Sequence, residues 1–237
     1  MTLLRVENVT KKFGGVTANE NVSFSIGAGQ IVGLIGPNGA GKTTMFNCIA
    51  GFAPPTSGEI WLKGKRISGM TPEQCARAGI GRTFQVARTF TSMSALENVM
   101  VGAFLIGRSV ADARRRAGQL LAFVQLERLA DRPAGSLTIS EQRRLAVARA
   151  LAVEPELLLM DEVMAGLNLT EVREAVDVVL RIRERGISCL IVEHVLEGIM
   201  PIADAIVVLD YGKKIADGAP ADVAADPLVI AAYLGDE

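Results

Sequence analysis

The chain has 237 residues, 49% hydrophobic and 22% charged, with 25 Lys and Arg against 26 Asp and Glu. That composition excludes an intrinsically disordered chain, and a net charge of −1 leaves no basic footprint for nucleic acid. Three scattered cysteines, Cys48, Cys75 and Cys189, form no C-x-x-C, so reduced thiols are expected rather than disulfides or a cysteine metal site.

A mean hydropathy of +0.31 prompts a search for a membrane span. The best candidate, 189–209, carries Glu193, His194, Glu197, Pro201 and Asp204, each costly or disruptive in a lipid-facing helix. It is read instead as strand, loop, helix and strand. Residues 1–7 lack a basic segment followed by an apolar core, so no secretory signal is expected.

In chain order, a loosely alternating strand is predicted over 3–9 and a turn over 11–15. A half-buried strand is predicted over 21–26 and a buried parallel strand over 31–35. A helix over 43–50 follows. A turn at 54–58 leads to a strand at 59–62. Thr71, Pro72 and Gln74 predict a capped short helix, and 79–85 reads as a strand ending in Gln85. From 86 to 153 strand signals vanish and helices are predicted over 99–106, 110–125 and 140–153. The run Arg114, Arg115, Arg116 is read as a solvated helix face. The continuous apolar run 157–160 predicts a central parallel strand. A helix over 169–185 ends at Gly186, and a strand over 187–192 follows. A hairpin over 205–216 and a helix over 227–234 close the chain.

Between the strand at 31–35 and the helix at 43 lies Gly36, Pro37, Asn38, Gly39, Ala40, Gly41, Lys42, Thr43, with Thr44 behind it. This fits G-x-x-x-x-G-K-[ST] in its strand–loop–helix context. Small residues let backbone N–H groups curl around an anion, and the helix start adds partial positive charge. Lys42 is expected to reach the β- and γ-phosphates of a nucleoside triphosphate, and Thr43 to bind magnesium. Asp161 and Glu162 follow the strand at 157–160. Asp161 is placed for magnesium through water, and Glu162 to take a proton from an attacking water. His194 is the only histidine; it follows another strand and is placed to contact the γ-phosphate. Gln85 ends a strand likewise, where an amide can touch magnesium and water. Ligands of open α/β sheets bind at such carboxyl ends.

These motifs, in this order, resemble those of the ATP-binding subunit of an ABC transporter. The resemblance spans essentially all of the chain. It implies a P-loop NTPase (ABC ATPase) α/β core with an N-terminal antiparallel β subdomain and an inserted helical subdomain. The whole would be a single domain, with 1–85 and 154–237 as nucleotide-binding core and 86–153 as the helical part. Gln85 matches the Q-loop, 157–161 the Walker B strand, Glu162 the catalytic glutamate and His194 the switch histidine. Ala165, Gly166, Leu167 and Asn168 match the D-loop. Phe13 stands where the family sets an aromatic ring on adenine, ordinary packing being its other reading.

Within the family the nearest resemblance is to subunits of branched-chain amino acid importers, carried by 11–15, 82–85, 165–168 and 210–216. It implies ATP and magnesium as ligands, ATP hydrolysis coupled to import, and a peripheral place on the cytoplasmic face of the inner membrane. It also implies partners: a second ABC ATPase subunit, membrane permease subunits, and indirectly a periplasmic or extracellular solute-binding protein, with no nucleic acid. The segment 86–96 and the helical block would meet the permease.

Two departures stand out. The signature, Leu-Ser-Gly-Gly-Gln in the family, reads Leu137, Thr138, Ile139, Ser140, Glu141. Val163 replaces the usual proline after the Asp-Glu pair. Since each family site joins one subunit's phosphate loop to the other's signature, Thr138, Ile139, Ser140 and Glu141 would face the partner's ATP. An altered signature there suggests a heterodimer with unequal sites. The rival readings are a regulatory nucleotide-binding module with little hydrolysis, an ABC ATPase serving another solute or a non-transport role, and a P-loop kinase.

Overall fold

The computed structural model describes residues 1–83, 89–107 and 109–234. Gln85 lies outside the described residues. Strands β1 (Thr2–Phe13) and β2 (Val16–Gly27) form a long antiparallel hairpin. Strand β3 (Ile31–Ile35) leads through the glycine-rich loop into α1 (Lys42–Ile49). Strands β4 (Ser57–Leu62) and β5 (Lys65–Arg66) complete the first sheet, in the order β2-β1-β4-β5. Next come α2 (Pro72–Arg77), β6 (Ile80–Arg82), and three helices, α3 (Ala95–Leu105), α4 (Val110–Phe123) and α5 (Ile139–Leu151). The chain then runs β7 (Leu157–Asp161), α6 (Leu169–Glu184), β8 (Ser188–Val192), α7 (Leu196–Ile199), β9 (Ala205–Asp210) and β10 (Lys213–Gly218). Helices α8 (Pro220–Ala224) and α9 (Pro227–Leu234) follow.

The second sheet has the order β10-β9-β3-β8-β7-β6, parallel except for β10. Its central strands are buried along their whole length, as both faces are covered. The period of two then sorts side chains between two cores. Ile31, Leu158, Met160, Ile191 and Val208 share a hydrophobic cluster with α3, α4 and α5. Val32, Leu34, Leu159, Val192 and Leu209 pack on the opposite face with Phe46 of α1 and Phe24 and Ile26 of the antiparallel sheet. The phosphate-loop helix is thus clamped between two sheets.

Several boundaries differ from expectation. Lys11, Lys12 and Phe13 are strand, not turn: they pair with Asn19, Thr17 and Val16 through register shifts that break the alternation. Ser57 and Gly58 also belong to strand. Helix α3 starts four residues earlier than the apolar spacing suggested, because Ser94 and Glu97 form a reciprocal capping box. Helix α8 and the two-residue β5 were not expected. The arginine run is a solvated face in part: Arg114 and Arg115 are exposed, whereas Arg116 is half-buried with its guanidinium 3.9 Å from Glu154. All three cysteines are free and buried. Burial pushes Cys48 up to about 11 and Cys189 to about 12, which leaves them unreactive thiols. No helix among the described residues is long and apolar enough to cross a membrane.

Candidate active site

The loop after β3 is shaped by close approach. At Gly36 the backbone has φ +145, and a Cβ would stand 2.0 Å from the Leu209 carbonyl oxygen at the end of β9, so only glycine fits. Farther on, the Ala40 carbonyl accepts from the Gly212 amide at 3.1 Å, and the buried Asn19 Nδ2 donates to the Gly41 carbonyl at 3.2 Å. Helix α1 begins without a side-chain cap and without an acidic residue in its first turn. Its orphan N–H groups therefore stay available to an anion.

A cavity of about 550 Å³ opens over this helix start, lined by Asn38, Gly39, Ala40, Gly41, Lys42, Thr43 and Thr44. Glu162 and His194, which follow the adjacent strands β7 and β8, line it from the other side. Their side chains meet, His194 Nε2 lying 3.0 Å from Glu162 Oε1. Lys42 is buried, and its ammonium donates to the carbonyls of Gly36 and Pro37 at 2.7 and 2.8 Å. Burial lowers its pKa, while the Glu162 and Asp161 carboxylates oppose that shift. The loop, the base candidate and the histidine, far apart in sequence, thus share one space.

Asp161 is 3% exposed. Its amide donates to Thr83 Oγ1 at 3.2 Å, and Oδ2 lies 3.9 Å from the Arg82 guanidinium. Burial raises its pKa; Arg82 opposes this most strongly. Among the described residues no donor meets Oδ1, which leaves an acceptor for a metal-bound water. Thr43 is exposed at the cavity wall. No group of three or more His, Cys, Asp or Glu among the described residues could hold a metal by itself.

Two expected residues or groups lie elsewhere. Phe13 is half-exposed at the end of β1, with the Lys11 ammonium 4.8 Å from its ring centre, and it is not among the cavity-lining residues. Thr138, Ile139, Ser140 and Glu141 open α5 and also leave this cavity unlined. Glu141 is explained locally: its carboxylate accepts from the Thr138 amide at 2.8 Å while Thr138 Oγ1 accepts from the Glu141 amide at 3.3 Å. Thr138 and Glu141 thus form a capping box that starts the helix, a role a glutamine can fill equally, as Gln74 does in α2. Gln85 is outside the described residues.

Other residues were missed. Val16, Thr17, Ala18 and Tyr211 line the cavity, brought there by the antiparallel hairpin and the β9–β10 turn. Glu193 is fully buried beside His194, its Oε1 accepting from the Met164 amide at 2.6 Å. Burial pushes its carboxyl from the ordinary 4.5 up to about 7, against donation from the Met164, His194 and Val195 amides, with the Glu162 charge adding to the rise. An acid closing a fully buried strand was the available signal.

The raised Glu193 carboxyl has a stability consequence. The folded protein holds that proton more tightly than the unfolded chain does. Its stabilising contribution is full below the ordinary carboxylate range and is lost as pH climbs from 4.5 through about 7. The loss is at most on the order of 3 kcal/mol. The expected result is a wild-type urea midpoint that falls between pH 5 and pH 8 more steeply than that of Glu193→Gln; parallel curves would refute it.

A family model described as "ABC transporter" matches residues 19–165, and one described as "Branched-chain amino acid ATP-binding cassette transporter" matches 213–237. The chain is 40% identical to the high-affinity branched-chain amino acid transport ATP-binding protein BraF of Pseudomonas aeruginosa, covering 99% of this chain and 98% of that one. It is 38% identical to LivG of Escherichia coli over the same shares. It is also 35% identical to the lipopolysaccharide export system ATP-binding protein LptB of Acidithiobacillus ferridurans, again over 99% and 98%. Among solved structures, an ATP-binding cassette of an ABC transporter in its ADP conformation superposes with a TM-score of 0.91 at 32% identity, covering 100% of both chains. A dimeric cassette in a post-hydrolysis state bound to ADP and Pi gives 0.84 at 27% identity, over 92% and 99%. A phosphate loop facing a carboxylate–histidine pair across one cavity, in this fold and with these relatives, places the chain in the ABC transporter family, as one of its ATP-hydrolysing cassettes.

Proposed function

We propose that this chain is the motor subunit of an importer of branched-chain amino acids, with ATP hydrolysed between its phosphate loop and the Glu162–His194 pair. The observation that carries the reading is that pair, 3.0 Å apart and facing Lys42 and the helix start across the cavity. Lys42 leaves the loop carbonyls to bind the β- and γ-phosphates, and the N–H groups of 38–44 cradle them. Glu162 takes the proton of the attacking water, and His194 holds Glu162 and the γ-phosphate in line. Magnesium, when bound, would neutralise phosphate charge; Thr43, Gln85 and, through water, Asp161 would hold it. Phe13, paired in the hairpin with the cavity-lining Val16, stacks on adenine.

The substrate class rests on the BraF and LivG relatives and on the match at 213–237. The lipopolysaccharide export relative is nearly as similar, so direction and solute belong to the permease rather than to the cassette. Partners are a second, unlike cassette, permease subunits, and through them a solute-binding protein outside the membrane. Residues 138–141 lie off this chain's own cavity, free to meet a partner's ATP, and a cassette dimer exists among the solved relatives. The chain sits peripherally on the cytoplasmic face, its three-helix block and 86–96 against the permease. Ser140, where the family signature has glycine, would face the partner's ATP and favours a second reading: a regulatory cassette in a dimer whose site on the partner's phosphate loop hydrolyses slowly.

The test is uptake of labelled leucine into vesicles that hold the permease, this chain, its partner cassette and the solute-binding protein. ATP-dependent accumulation is the expected result. Hydrolysis without accumulation would remove the substrate assignment. Tight ATP binding without turnover that depends on Glu162 would favour the regulatory reading.

A further inference from the structure

We propose that Glu193 is a positioning residue for hydrolysis: its buried carboxylate fastens the segment after β7 and holds Glu162 in the backbone conformation that aims it at His194. This rests on the reading of Glu162 and His194 given above.

Glu162 has φ +51, a left-handed conformation that residues with side chains adopt only where the surroundings impose it. Two bonds from the end of β8 bracket it. The Glu162 amide donates to the Val192 carbonyl at 2.9 Å, and two residues on, the Met164 amide donates to Glu193 Oε1 at 2.6 Å. Val192 and Glu193 are consecutive, so one strand end grips both sides of the strained residue. A steric hold adds to this. Met164 is fully buried, and a Cβ on Gly198 of α7 would stand 2.5 Å from its sulfur, so the glycine makes its seat. The outcome of these restraints is the 3.0 Å contact between Glu162 and His194, the latter adjoining Glu193 itself.

The chemistry of the position calls for a carboxylate. The amides of Met164, His194 and Val195 all face it, and an ionised carboxylate is acceptor-only. Oε1 is the oxygen that accepts a hydrogen bond, from the Met164 amide, while Oε2 meets no donor among the described residues; a glutamine would set its NH2 against the nearby His194 and Val195 amides. A residue serving only to fill space would be apolar, because a buried charge is costly without its donors. Of the neighbouring titratable groups, Glu162 opposes ionisation through its charge, and His194 follows directly in sequence. Those N–H groups favour the ionised form, and burial opposes it, which sets the carboxyl at about 7.

The experiment compares Glu193→Gln, Glu193→Asp and Glu162→Gln in the assembled cassette dimer, reading kcat, KM for ATP and the urea midpoint between about pH 6 and pH 8.5. Glu193→Gln is expected to lower kcat roughly 10-fold, the scale of a misplaced catalytic group, with KM within about twofold and the pH 8 urea midpoint unchanged or higher. Glu193→Asp should recover part of the rate. Wild-type kcat should fall as pH drops through about 7, a limb missing from the glutamine variant. Wild-type kcat in Glu193→Gln beside an inactive Glu162→Gln would overturn this proposal alone. So would a rate loss that follows a fallen urea midpoint with no recovery in the aspartate variant. An active Glu162→Gln would overturn the site reading as well.

Discussion

Replacing Glu162 by glutamine is expected to reduce ATP turnover by roughly 100- to 10,000-fold, the contribution of a positioned general base, while ATP still binds. The side chain keeps its length, so the oxygen that meets His194 Nε2 at 3.0 Å survives as an amide acceptor. What disappears is a group that can take a proton from water. The backbone anchor to Val192 involves no side chain, so the left-handed turn persists. The lost negative charge faces the same cavity as Lys42, so a triphosphate there meets less repulsion and its Kd should fall or hold. The check is steady-state phosphate release beside equilibrium binding of a fluorescent ATP analogue. A turnover within about threefold of wild type would remove Glu162 from the role of base and leave the orienting of water to His194.

The parts of this molecule that could be read from sequence are those where one local rule decides the outcome. Strands β3, β7 and β8 are fully buried apolar runs, and parallel-sheet strands permit little else. The phosphate loop is readable because anion binding demands small residues, a lysine and a helix start in fixed order. Glu162 and His194 were legible because they end such strands. Legibility fails where partners decide. The strand at Lys11, Lys12 and Phe13 exists through pairing with β2 across register shifts, and nothing in three polar-to-aromatic residues announces that. Val16, Thr17, Ala18 and Tyr211 reach the cavity because the antiparallel sheet folds back over the helix start, a tertiary fact. Glu193 looked like an acid that merely forbids a membrane span. Its partner, the Met164 amide, belongs to another strand end, and only the sheet brings the two together. Glu141 is the opposite case: a local rule, the capping box, was present in sequence and was outweighed by comparison with the family signature.

Lys42→Ala is expected to weaken ATP binding by roughly 100-fold or more, since two charge-assisted hydrogen bonds to phosphate are lost at about 1.5–3 kcal/mol each. The fold should tolerate the change. Lys42 is a cation held in a buried position where desolvation lowers its pKa, so its removal relieves a cost. Against that, the Gly36 and Pro37 carbonyls lose their donor, and Asp161 loses a nearby cation that favours its ionised form. These effects oppose one another, which leaves the urea midpoint near its wild-type value while affinity collapses. Lys42→Arg should not rescue binding, because a planar guanidinium does not fit a seat shaped around a compact ammonium between two loop carbonyls. Calorimetric titration of both variants with ATP and magnesium, beside their unfolding curves, decides the matter. Affinity within about twofold of wild type in Lys42→Ala would mean that the backbone cradle and the start of α1 hold the triphosphate by themselves. An affinity loss matched by an equal loss of folded protein would assign Lys42 to the architecture of the loop rather than to its ligand.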